Sequence, residues 1–108
     1  MAKPPVVHRY SATCAWSGST GEGYARYPRA HTGGAAPAAI SLDLSADPAF
    51  RGDPTRLNPE QLLVLSAASC QLLSFLALAA RAGLDVREYE DRAGRPGPGT
   101  TAVGRTPR

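Results

Sequence analysis

From residue 61 to residue 80 no charged side chain occurs, and Leu62, Leu63, Val64, Leu65, Leu72, Leu73, Phe75, Leu76 and Leu78 fall all round a helical period instead of along one stripe. A helix of that kind must be surrounded. Its ends are marked as clearly as its middle. Asn58 can accept a hydrogen bond from a first-turn amide, Pro59 stands where a missing N–H costs nothing, Gln61 completes a capping-box pattern, and Gly83 supplies a stop. At about 1.5 Å per residue, positions 59–81 span on the order of 35 Å, enough to cross a small domain or a bilayer. Ser66, Ser69, Gln71 and Ser74 interrupt the segment, and Glu60 and Arg81 close it without an aromatic belt or a one-sided basic flank. The expectation is a buried central helix in a protein without a membrane span.

Either side of the helix the period falls to two. In residues 6–16, Val6, His8, Tyr10, Ala12, Cys14 and Trp16 share one parity while Val7, Arg9, Ser11 and Thr13 share the other, which predicts a strand. Residues 17–23 read as a turn rich in Ser and Gly, and residues 24–27 as the returning strand of a hairpin. Residues 28–39 have loop composition, 40–44 alternate as a short third strand, and 46–56, with two Asp-Pro pairs, form a constrained connector. Residues 84–90 predict one more strand. The result is an α+β domain of order β-β-β-α-β over residues 6–91. Beyond it, residues 92–108 are rich in Pro, Gly and Arg, have almost nothing apolar to bury, and are expected to be a disordered tail.

Composition narrows the chemistry. A chain of 108 residues is one domain at most. Its net charge of +3 comes from arginines scattered along the chain and not interleaved with aromatics, which argues against a nucleic-acid surface. The first residues lack the apolar core of a secretory signal, so a cytoplasmic location is expected, and Cys14 and Cys70 are then expected as free thiols. His8 and His31 have no ligand spacing that suggests a metal, and Gly21 and Gly23 belong to a turn and not to a phosphate loop. Cys14 is expected to face the core of the first strand, and Trp16 and Tyr24 to pack across the hairpin.

The string Arg51-Gly-Asp-Pro-Thr-Arg-Leu-Asn-Pro-Glu-Gln-Leu-Leu-Val-Leu-Ser-Ala-Ala-Ser-Cys70, followed by a Leu-rich turn, Ala79-Ala80-Arg81-Ala82-Gly83-Leu84 and a strand, resembles the OsmC/Ohr family of thiol-dependent peroxidases. Trp16 and Thr20-Gly21-Glu22-Gly23 are also similar to the opening hairpin of an OsmC-like subgroup. The resemblance covers residues 6–91. It implies an intertwined homodimer with long central helices between sheets and two active sites at the dimer interface. It implies further that Cys70 is the peroxidatic cysteine, attacking the distal oxygen of an organic hydroperoxide to give an alcohol and a sulfenic acid. Glu60 falls on the glutamate that orients a thiolate-binding arginine. A dithiol would return the enzyme to its reduced state, with no bound cofactor.

The chain departs from the family pattern at three places. The hairpin turn, Ser19 to Gly23, holds no arginine, so Arg26, Arg29, Arg51 and Arg56 are the alternatives. No cysteine follows Cys70 to resolve a sulfenic acid. The family's C-terminal half is missing, so the expectation is a truncated member. A thiol reacts as thiolate, and an apolar helix middle about three turns from the N-terminus offers nothing to stabilise one, so Cys70 needs an arginine brought by folding. The plainer readings are a small core residue for Cys70 and a capping carboxylate for Glu60. The rival function is a non-catalytic dimerisation or small apolar ligand-binding module that keeps the fold.

Overall fold

Three short strands, β1 (Thr13–Ala15), β2 (His31–Gly34) and β3 (Leu42–Leu44), pair antiparallel in the order β1-β2-β3. They are followed by a short 3-10 helix (Pro48–Phe50), the long helix α1 (Pro59–Arg81) and the strands β4 (Tyr89–Asp91) and β5 (Arg105–Pro107). This computed structural model describes residues 4–94 and the backbone of residues 105–107. The described residues form two compact units, divided between Pro59 and Glu60.

In the first unit, Cys14 pairs with Gly33 and Gly33 with Leu42, while Thr32 stands between Ala15 and Asp43. Gly33 lets Leu44 pack close: a Cβ there would lie 2.9 Å from Leu44 Cδ1, and that side chain would have to shift. Leu44 and Ser45 are the buried centre of this unit, at 5% and 1% exposure. The Ser45 N–H donates to the Leu57 carbonyl (2.9 Å), and the Ser45 hydroxyl accepts from the Asp53 N–H (3.0 Å). The loop between them is thereby folded onto β3. Asp47 caps the 3-10 helix by accepting from the Ala49 N–H at 2.8 Å, and its carbonyl accepts from both Phe50 and Gly52. This connector delivers buried Asn58 to the position before Pro59.

In the second unit, α1 runs over the predicted residues and stops as expected. Gly83 takes a left-handed φ of 77°, and the Leu84 N–H reaches back to the Ala79 carbonyl at 2.9 Å. Phe75 packs against Tyr89 with ring centroids 5.4 Å apart, and β4 pairs antiparallel with β5.

Four expectations are corrected. The partner of the first strand is β2 and not residues 24–27, which form turns. The Arg29 guanidinium stacks 3.5 Å from the Tyr27 ring and 4.6 Å from that of Tyr24 while donating to both their carbonyls, so this segment is bound to a cation and not to a strand. The first strand is short because its partner ends: after Gly34 the chain turns, with the Ala38 N–H on the Ala35 carbonyl and Pro37 unable to donate, leaving residues 6–12 without a strand partner among the described residues. Trp16 packs edge-on to Tyr27, not Tyr24, at 6.3 Å. Finally, α1 is not enclosed in the single chain: Leu63 is 73% exposed, Leu73 64% and Leu78 65%, and Ala79 is its one buried residue. Of the expected tail, 95–104 and 108 lie outside the described residues, and the backbone of Arg105–Pro107 forms β5.

Candidate functional site

Helix geometry places Cys70. With 3.6 residues per turn, Val64, Ala68, Gln71, Leu72, Phe75 and Ala79 share one face, and all six are half-buried or buried, while Leu62 and Ala77, the other half-buried positions of α1, lie off that face. Cys70 lies on the opposite face with Leu63, Ser66, Leu73 and Ser74, all exposed. The thiol is therefore open in the single chain, at the middle residue of a 23-residue helix and among leucines and hydroxyls. Its own helix supplies no ion near it, because the charges of α1 stand at Glu60 in the first turn and Arg81 in the last.

Glu60 is also exposed. Ten residues of α-helix separate it from Cys70, about 15 Å of rise, so its carboxylate does not reach the thiol directly. In the first turn it is favourably placed for the helix dipole. The ion pairs described in the second unit are Arg87 with Asp85 and Arg92 with Glu90, which leaves Glu60 without an arginine partner in that unit among the described residues.

The arginines of the first unit separate by how they are already engaged. Arg29 is committed to two carbonyls and two rings. Arg51 sits 6.0 Å from the Tyr24 ring centroid, in a left-handed position with φ 65°. Arg26 is exposed, and Arg56 is half-buried in the connector. There it lowers the Asp53 carboxyl below its ordinary pKa, behind the larger effects of hydrogen bonds from the Thr55 hydroxyl (2.7 Å) and N–H (2.9 Å).

The expectation that Cys14 faces a core is corrected: its β1 is an edge strand and the residue is exposed. No group of three or more His, Cys, Asp or Glu able to hold a metal occurs among the described residues. Three features escaped the sequence reading. They are β2, the Arg29 clamp and the placement of His31, whose Nδ1 lies 2.8 Å from the Arg29 carbonyl. An arginine two residues after one tyrosine and five after another was the available signal for the clamp.

An antiparallel three-stranded sheet, a long helix with a thiol at its centre, and a further strand define an α+β protein of the OsmC-like fold. Among solved structures, the chain is similar to an OsmC-like protein of unknown function from Vibrio cholerae, with a TM-score of 0.71 and 25% identity, covering 91% of this chain and 69% of that one. No family model matches the sequence, and no curated protein matches it.

Proposed function

We propose that the protein is a thiol-dependent peroxidase that reduces organic hydroperoxides through Cys70. The observation that carries the reading is the exposed thiol on an uncharged, leucine-lined helix face, within an OsmC-like fold. In this reaction the Cys70 thiolate attacks the distal peroxide oxygen and the O–O bond breaks. The alkoxide leaves as alcohol after taking a proton, and the sulfur becomes a sulfenic acid. A dithiol then condenses with the sulfenic acid, releasing water, and its second thiol frees Cys70 with formation of the dithiol's own disulfide. The surrounding Leu63 and Leu73 favour alkyl over hydrogen peroxide, because they offer apolar area and no donors to a second hydroxyl.

Glu60 acts in this proposal by orienting an arginine and not by touching sulfur. Arg26, Arg51 and Arg56 are the candidates, since the Arg29 fork is already occupied. The exposed leucines of α1 call for a cover, and the proposal gives that role to a second copy of the chain, forming a homodimer in the cytoplasm. An 18-residue window of α1 has a mean hydropathy of 2.1, long and apolar enough for a membrane as well, so purification without detergent as a monodisperse dimer is part of the test.

The activity test is consumption of cumene hydroperoxide with dithiothreitol. Wild-type protein is expected to turn over peroxide and Cys70→Ser to do no better than buffer. Equal consumption by the two removes the proposal.

The non-catalytic reading, a dimerisation or apolar ligand-binding module, is favoured by one observation: α1 itself brings no cation near Cys70. Titrating thiol alkylation against pH separates the two, since a working Cys70 alkylates as thiolate at lower pH than Cys14.

A further inference from the structure

The first unit contains a cleft in which Arg56 alone is also a candidate for the thiol chemistry. Its floor is the cross-strand row Ala15, Thr32 and Asp43, and its walls include Trp16, His31 and Arg56, enclosing about 370 Å³. Small side chains at Ala15 and Thr32 create the space.

Both rings of the wall are held in place before any ligand arrives. The Trp16 indole donates to the Pro28 carbonyl at 2.8 Å and rests edge-on to Tyr27. The fit is close enough that a Cβ on Gly18 would come within 2.8 Å of the indole. His31 Nδ1 lies 2.8 Å from the next carbonyl, that of Arg29, which can only accept, so Nδ1 carries a proton and donates. Two consecutive carbonyls thus fix two flat rings. The charges are opposite and spare. The carboxylate of Asp43 and the guanidinium of Arg56 form no hydrogen bond or ion pair with a protein group among the described residues, and the one electrostatic partner described for Arg56 is exposed Asp53.

We infer that this cleft binds a small zwitterion with a flat apolar body, an aromatic α-amino acid, with its carboxylate toward Arg56, its ammonium toward Asp43 and its ring against Trp16. The charge pattern selects the class. A simple anion would meet Asp43, a simple cation would meet Arg56, and a neutral aromatic would leave both unpaired, whereas one ligand carrying both charges answers each. Because the cleft is open to water, the dissociation constant is on the order of a millimolar.

The protein has a single tryptophan, so the wall of the cleft is its own reporter. The full chain is titrated with phenylalanine while the emission of Trp16 is followed under excitation that phenylalanine does not absorb. A saturable change is expected. Phenylpropionate, phenethylamine and phenylalanine amide, each lacking one charge, should bind about tenfold more weakly or not at all. Arg56→Gln and Asp43→Asn should each give a similar loss. Absence of a saturable response to phenylalanine in the wild-type chain overturns the inference, as does equal binding of a singly charged analogue. The analogue series is run on wild-type protein, so it decides the matter even where a variant fails to fold. Peroxidase activity does not enter the readout.

Discussion

Gly52 is the glycine with least room for a side chain among the described residues, and it lies in the connector that leads into α1. A Cβ built there would stand 1.6 Å from the Ala46 carbonyl oxygen and 2.2 Å from its carbon, both backbone atoms that no rotamer change can move aside. Ordinary contact begins at 3.4 Å, so the two chain segments must part by about 1.8 Å. That separation stretches the Gly52 N–H to Asp47 carbonyl bond (3.1 Å) and the neighbouring Arg51 to Pro48 bond (3.1 Å) beyond use. Two backbone hydrogen bonds at about 1 kcal/mol each, with about 1–3 kcal/mol for overpacking, give about 4 kcal/mol for Gly52→Ala. The assay is urea unfolding of the full chain followed by Trp16 fluorescence and far-ultraviolet circular dichroism. Gly94→Ala serves as the control because a Cβ there meets nothing within 4 Å, and it should stay within about 0.5 kcal/mol of wild type. A Gly52→Ala variant as stable as the Gly94→Ala control would show that the connector does not hold the described path.

Other outcomes follow from particular contacts. Removing the Asp47 cap with Asp47→Ala should cost about 1 kcal/mol in the same unfolding assay. Arg29→Lys should loosen the 24–29 turn almost as much as Arg29→Ala, seen as a shift and broadening of Trp16 emission, because an ammonium cannot bridge two carbonyls and stack on two rings. The Asp53 carboxyl is held below its ordinary 3.8 by Thr55 and Arg56. Its contribution to stability is therefore complete above that value and is lost as pH falls through the lower folded value, and Asp53→Asn should flatten the stability profile in that acid range alone. Leu73→Glu, on the exposed face of α1, should convert a dimer to monomer in light scattering with little change in helix content, and an unchanged dimer would place the interface elsewhere.

The legible part of the fold was its helix. An uncharged apolar run bracketed by Asn58-Pro59 and Gly83 carries its period, start and stop in the side chains themselves, and α1 occupies those residues. The third strand was also readable, since Leu42 and Leu44 alternate around Asp43. What escaped was decided by distant partners. His31-Thr32-Gly33-Gly34 has no strand composition, and it pairs with strands on both sides, with Gly33 leaving room for the Leu44 side chain. Tyr24 to Tyr27 has strand composition and is taken out of the sheet by Arg29. The expected enclosure of α1 failed for a different reason: an all-round apolar helix announces that it needs a cover, but not which chain provides it. At the candidate site the positions of Cys70 and Glu60 followed from the helix motif. The arginine could not be named, because it belongs to another segment and spacing along the chain says nothing about approach through space.

The central claim is that Cys70, and not a thiol in general, carries the redox chemistry, and the chain supplies its own control because Cys14 is equally free and exposed. Protein treated with one equivalent of cumene hydroperoxide in the presence of dimedone, then digested and weighed by mass spectrometry, reports sulfenic acid at each cysteine separately. The account predicts a dimedone adduct on the peptide containing Cys70 and an unmodified Cys14 peptide. Equal labelling of the two, or none on Cys70, contradicts it.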